Sequence, residues 1–199
     1  IIMKLSNILI EAKATLSKAN IAEPLRESKL LICHALSSSL EIFLLDSEKE
    51  IPLFVKKKIF KLISRRANGE PFAYITNSIS FYKNNFYINN KVLIPRPETE
   101  ELIEKVLKII SNKNKKINIL DIGTGSGVIL ASLLKELPNS AGIGTDISFD
   151  ALKVAKINLT NLNIFSRSIL VNTNWSQGIK TNIFDIVTCN PPYIDNKYI

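Results

Sequence analysis

The stretch Ile119-Leu-Asp-Ile-Gly-Thr-Gly-Ser-Gly-Val128 runs from a β-branched apolar strand through three glycines into the apolar run that continues to Leu134. A strand that breaks into glycines and resumes as a helix is the first turn of a doubly wound α/β sheet, where backbone approaches a ligand beyond the strand's carboxyl end. Counted from Gly123, the sixth place is Val128 and Gly127 falls one place early, so the spacing is G-x-G-x-G and not the dinucleotide fingerprint G-x-G-x-x-G. A nucleotide-like ligand is expected at Gly123, Thr124, Gly125, Ser126 and Gly127. On either side the pattern alternates. Helices are predicted from about Pro97 to Ile110, after Gly127, and from Ser148 to Leu159; strands at Ile117 to Ile122, Ala141 to Ile147, Ser168 to Val171 and Ile183 to Cys189. That alternation predicts a parallel sheet with helices on both faces. The last strand carries Ile183, Phe184, Ile186, Val187 and Cys189, apolar groups on both faces, and so reads as an interior strand.

Upstream the periodicity is helical. Leu5, Ile8, Leu9, Ala12 and Leu16 form one stripe ending near Asn20. A second helix starts at Pro24, with Leu30, Leu31, Cys33, His34 and Ala35 as its apolar positions, and breaks at Ser37 to Ser39; His34 itself reads as a core or surface residue with no catalytic part. A third starts at Pro52, turns Val55, Ile59, Leu62 and Ile63 inward, and stops at Asn68-Gly69. Between the two patterns, ISFY and NFYI separated by asparagines have hairpin composition. The expected division is a helical domain over 1–75, a β-hairpin connector over 76–95, and an α/β domain over 96–199.

Composition sets the outer bounds. With 46% hydrophobic and 22% charged residues, the 199-residue chain is a folded globular protein, neither disordered nor collagen-like. No apolar run reaches the roughly 18 residues of a membrane-spanning helix. The start has no sustained apolar segment of a secretion signal, since Glu11 and Lys13 interrupt it, so the cytosol is the expected location. Cys33 and Cys189 lack metal-ligand spacing, and no metal site is expected. The net charge of +8 suits a loose attraction to nucleic acid, but most of the cations are lysines in a chain rich in isoleucine and asparagine, and compositional drift accounts for them better than a binding face.

The G-x-G-x-G turn resembles the first motif of S-adenosylmethionine-dependent methyltransferases. Asp146, closing the next strand, stands where a carboxylate accepts two ribose hydroxyls, although Asp146-Ile-Ser also reads as the start of a helix. Trp175, the only tryptophan, follows the third strand, as an adenine wall or as a core residue. Asn190-Pro-Pro-Tyr193 directly follows the fourth strand. Its two prolines stiffen the turn, so that the Asn190 side-chain carbonyl and the Pro191 carbonyl face an incoming N–H₂ group while Tyr193 stacks on its plane. Those acceptors loosen the nitrogen lone pair from conjugation and favour the positive charge that develops on nitrogen.

N-P-P-Y is similar to the motif of methyltransferases acting on a planar nitrogen, in DNA bases or in protein glutamine. Gly69-Glu-Pro-Phe-Ala-Tyr-Ile-Thr76, Phe81-Tyr82 and Val92-Leu-Ile-Pro-Arg-Pro-Glu-Thr-Glu-Glu101 resemble the signature of the peptide chain release factor glutamine methyltransferases, the HemK/PrmC family, from about residue 5 to the last. The resemblance implies a Rossmann-like class I S-adenosylmethionine methyltransferase domain, preceded by a small helical domain that holds the release factor. It implies methylation of the glutamine in the factor's Gly-Gly-Gln loop, with S-adenosylmethionine as cofactor and release factors as partners. Gly123 to Gly127, Asp146, Trp175 and Asn190 are then the cofactor residues. Asn190, Pro191, Pro192 and Tyr193 bind substrate, with Asn190, Pro191 and Tyr193 as the catalytic set. A proline-started helix with acids in its first turn explains Pro97, Glu98 and Glu100 but not Arg96.

Two departures stand out. Asn174 precedes the tryptophan where many relatives have aspartate, and the family's catalytic domain continues beyond N-P-P-Y, so the chain is expected to be the amino-terminal portion, with further strands missing from it. The alternatives are a methyltransferase for the exocyclic amine of a DNA base, and an inactive cofactor-binding or release-factor-binding fragment.

Overall fold

The computed structural model describes residues 3–40, 48–180 and 182–190. Two units divide the chain, Ile1–Thr76 and Asn77–Ile199. The first contains β1 (Met3–Lys4), α1 (Leu5–Lys18), α2 (Pro24–Leu36), β2 (Glu50–Ile51), α3 (Leu53–Ala67) and α4 (Phe72–Thr76), with β1 and β2 paired antiparallel. Its core is built by local periodicity: Leu5, Ile8, Ala12 and Leu16 of α1 meet Leu31, Ile32 and Ala35 of α2 and Ile59 and Ile63 of α3. The helix ends use left-handed residues, Asn20 (φ 56°) after α1, Ser37 (φ 52°) after α2 and Gly69 (φ 89°) after α3. The inward face of α2 differs from the sequence expectation. Leu30 is half-buried and His34 exposed, whereas Ser28 and Ile32 are buried. Ser28 belongs inside because its hydroxyl donates to the Pro24 carbonyl at 2.6 Å, which removes the penalty of burying it.

The second unit opens with the antiparallel hairpin β3 (Ser78–Phe81) and β4 (Asn84–Tyr87), whose Phe81 and Phe86 pack edge to face in the unit's core. There follow α5 (Glu98–Ile109), β5 (Asn118–Ile122), α6 (Val128–Glu136), β6 (Ala141–Asp146), α7 (Phe149–Asn161), a 3-10 turn (Phe165–Arg167), β7 (Ser168–Asn172) and β8 (Ile186–Cys189). The sheet is parallel throughout, in the order β7-β6-β5-β8. It is a Rossmann-like arrangement, the parallel sheet that the alternation of strands and helices predicts. Helix α6 is buried from Val128 to Leu134, and it lies so close to the sheet that a Cβ on Gly142 of β6 would stand 2.5 Å from a Leu130 methyl. The amino-terminal half of the expected last strand is not ladder. Asp185 instead accepts the Asn118 N–H with its carboxylate at 2.8 Å and donates its own N–H to the Asn118 carbonyl, pinning the approach to β8. Burial on both faces is also not seen: Val187 and Cys189 are exposed while Thr188 is buried, because β8 closes one side of the sheet among the described residues.

Candidate functional site

Strand order places the site. β5 is followed in sequence by β6 on one side and is joined by β8 on the other, so the chain reverses its direction of winding between β5 and β8. In open α/β sheets the crevice at such a reversal point, beyond the carboxyl ends of the strands, is where ligands bind. Gly123 directly follows β5 and Asn190 directly follows β8, and the preceding residues Ile122 and Cys189 are register partners.

All three glycines of the turn are left-handed, with φ of 68° at Gly123, 55° at Gly125 and 77° at Gly127. They serve different ends. A Cβ on Gly123 would meet nothing within 4 Å, so the backbone there is bare toward the crevice; at Gly127 a Cβ would stand 3.0 Å from that of Ala155, so this glycine lets α6 start against α7. The side chains of Thr124 and Ser126 are buried, which leaves their main chain as the part that can face a ligand.

Asp146 is tied into this turn. Its Oδ2 accepts the Gly125 N–H and its Oδ1 the Ser148 N–H, both at 2.8 Å. The two alternatives for Asp146-Ile-Ser thus coexist, since Ser148 caps α7 by accepting the Ala151 N–H while Asp146 stays half-buried at the strand's end. Trp175 is 58% exposed and left-handed (φ 55°), which excludes a core role. Its carbonyl accepts the Thr145 hydroxyl at 2.7 Å, next to Asp146. Asn190 donates from Nδ2 to Thr99 Oγ1 at 3.2 Å. Pro191, Pro192 and Tyr193 lie outside the described residues.

Sequence reasoning passed over three polar groups that hold the site together. Asp121, inside the apolar strand β5, is fully buried. It accepts the Thr124 hydroxyl at 2.6 Å and the Thr188 hydroxyl at 2.7 Å, linking the glycine turn to β8 two residues before Asn190. Burial raises its carboxyl from 3.8 to about 6, against the opposing pull of the two hydroxyls and with a further push from Asp146. Asn158, buried on α7, accepts the Tyr87 N–H and donates to the Tyr87 and Ser126 carbonyls, fastening the hairpin to the glycine turn. Thr99, buried in the Pro-Arg-Pro-Glu-Thr-Glu segment, is a partner of Asn190. The available signal was the same in each case, a polar residue where the local pattern calls for an apolar one.

The crevice fits an adenosine-containing cofactor on three observations: the bare left-handed backbone at Gly123, the carboxylate of Asp146 at the end of the next strand, and the exposed indole of Trp175 beyond it.

Residues 7–76 match the family model described as the PrmC N-terminal domain, and residues 100–199 match the methyltransferase small domain. Among curated proteins, the bifunctional methyltransferase of Rickettsia typhi is 36% identical over 97% of this chain and 40% of its own length. The release factor glutamine methyltransferase of Agrobacterium fabrum is 36% identical over 94% of this chain and 65% of its own. That of Buchnera aphidicola subsp. Schizaphis graminum is 37% identical, with 94% and 66% covered. The chain thus spans from about two fifths to just under two thirds of the length of these relatives.

Proposed function

Since the chain belongs to the methyltransferase small domain family and carries a PrmC N-terminal domain ahead of it, we propose that it serves the transfer of a methyl group from S-adenosylmethionine to the side-chain amide nitrogen of a glutamine, that of the Gly-Gly-Gln loop of peptide chain release factors. The observation that carries this reading is the meeting of the glycine turn, Asp146 and Asn190 at the reversal point of one parallel sheet. Release factor glutamine methyltransferases among the relatives supply the substrate class.

Gly123, Gly125 and Asp146 would hold the cofactor's methionine and ribose portions, and Trp175 would cover its adenine. When bound, the cofactor supplies an electrophilic methyl group. The chain's own residues then act on the nitrogen. Asn190 Oδ1 accepts one N–H of the substrate amide, and the Pro191 carbonyl accepts the other, so the nitrogen is held by two acceptors in one plane. Hydrogen bonds of this kind strengthen as positive charge grows on the nitrogen and lower the barrier at that moment. Tyr193 keeps the amide plane stacked. The PrmC N-terminal domain would hold the body of the release factor.

The test is methyl transfer from labelled S-adenosylmethionine by the full-length protein to a release factor, to the same factor with its loop glutamine changed to alanine, and to double-stranded DNA. Label on the first alone supports the reading. Label on DNA, or equal label on both factors, refutes it.

A further inference from the structure

The Pro95-Arg-Pro-Glu-Thr-Glu100 segment is the most distinctive stretch in the chain, and dipole and proline arguments account for only part of it. Its geometry is stiff. Prolines flank Arg96, the Thr99 N–H donates to the Arg96 carbonyl at 3.0 Å, and the Glu100 N–H donates to the Pro97 carbonyl at 2.9 Å, so the first turn of α5 is closed before the helix proper begins. From this turn two side chains leave in fixed directions. Glu100 accepts the backbone N–H of Tyr82 with Oε1 at 3.1 Å and so fastens the tip of the β3–β4 hairpin. Thr99, 9% exposed, meets the side chain of Asn190, which lies 91 positions away in the chain.

That second contact bears on chemistry. An asparagine side chain turns about two bonds, and a partner on its amide confines it to one place. We propose that Thr99 is a positioning residue for Asn190: its buried Oγ1, 3.2 Å from Asn190 Nδ2, holds the Asn190 amide where it meets the substrate nitrogen. The inference rests on the glutamine-methylation reading and goes beyond it by giving the Pro-Arg-Pro-Glu-Thr-Glu segment its task. Burial supports the assignment, because a hydroxyl held in a low-dielectric site gains more from its hydrogen bond and loses more when the partner turns away. The rigid turn beneath it keeps the oxygen in place without loop reorganisation.

Thr99→Val keeps the shape and removes the acceptor, and Thr99→Ser restores it. In the full-length protein with a release factor as substrate, Thr99→Val is expected to lower kcat by about tenfold or more, the scale of a misoriented catalytic partner. Its KM for the release factor and its calorimetric affinity for S-adenosylhomocysteine should stay within about twofold of the parent, and Thr99→Ser should recover most of the rate. Unchanged affinity also shows that the variant is folded. A kcat for Thr99→Val within about twofold of an active parent overturns the inference and leaves the glutamine reading intact. Equal losses in both variants overturn it too, since they trace the effect to the methyl group. A parent that methylates no release factor refutes the reading itself and carries the inference with it.

Discussion

Replacing Asp121 by asparagine isolates one buried charge whose effect on stability reverses the usual acid behaviour. The carboxyl is wholly buried, and burial lifts its folded-state value to about 6 against 3.8 in an exposed chain. Between those two values the folded protein binds more protons at this site than the unfolded protein does, so stability falls as pH rises through that window and stays low above it. A shift of about two units corresponds to about 3 kcal/mol, of which roughly 2 kcal/mol lies between pH 4 and pH 7. Asparagine has no charge to lose. The stability of the parent relative to Asp121→Asn should therefore drop by about 2 kcal/mol across that range, whatever the other groups contribute to both proteins alike. Urea unfolding at pH 4, 5, 6 and 7 measures it, followed by the fluorescence of Trp175, the only tryptophan, which sits in the same unit. A difference that stays constant across the series, or one that widens in the parent's favour as pH rises, would refute the reasoning, because it would mean that the hydroxyls of Thr124 and Thr188 balance or outweigh the loss of water around the carboxylate.

Asp146→Ala should weaken S-adenosylhomocysteine binding by about 1.5–3 kcal/mol, the range for lost hydrogen bonds to a charged group, while NAD binds neither protein; calorimetry decides, and equal binding of NAD by the parent would contradict the cofactor assignment. Because Asp146 also holds the N–H groups of Gly125 and Ser148, the same variant should melt at a lower temperature. Asn190→Ala should cut methyl transfer by on the order of a hundredfold, a loss well beyond any fall in cofactor affinity, and a rate within about twofold of the parent would reduce Asn190 to a turn residue. Arg167 donates to the carbonyls of Leu134, Leu137 and Ser140 at the end of α6; Arg167→Ala should cost about 2 kcal/mol in chemical denaturation, with no change in the identity of the substrate.

What the sequence determined by itself is whatever repeats or breaks locally. The α1 stripe of Leu5, Ile8, Ala12 and Leu16 follows from 3.6 residues per turn, and the three glycines between β5 and α6 were legible because only glycine takes three left-handed positions in five residues without strain. Strand and helix alternation then implied the parallel sheet, and Asp146 and Asn190 could be singled out because the first closes and the second directly follows a strand that the alternation locates. Tertiary structure decided everything that depends on a partner far along the chain. The facing of Leu30 and His34 depended on which side of α2 the other helices cover, which a short stripe does not specify. The exposure of Val187 and Cys189 depended on what covers β8, which among the described residues pairs with β5, since the apolar content of a strand does not say what lies over its faces. The bonds of Asp121 to Thr188, Asn158 to Tyr87 and Asn190 to Thr99 join positions 67, 71 and 91 residues apart. Such bonds leave no period in the sequence, because the fold alone brings the two partners within reach and burial makes the bond between them obligatory.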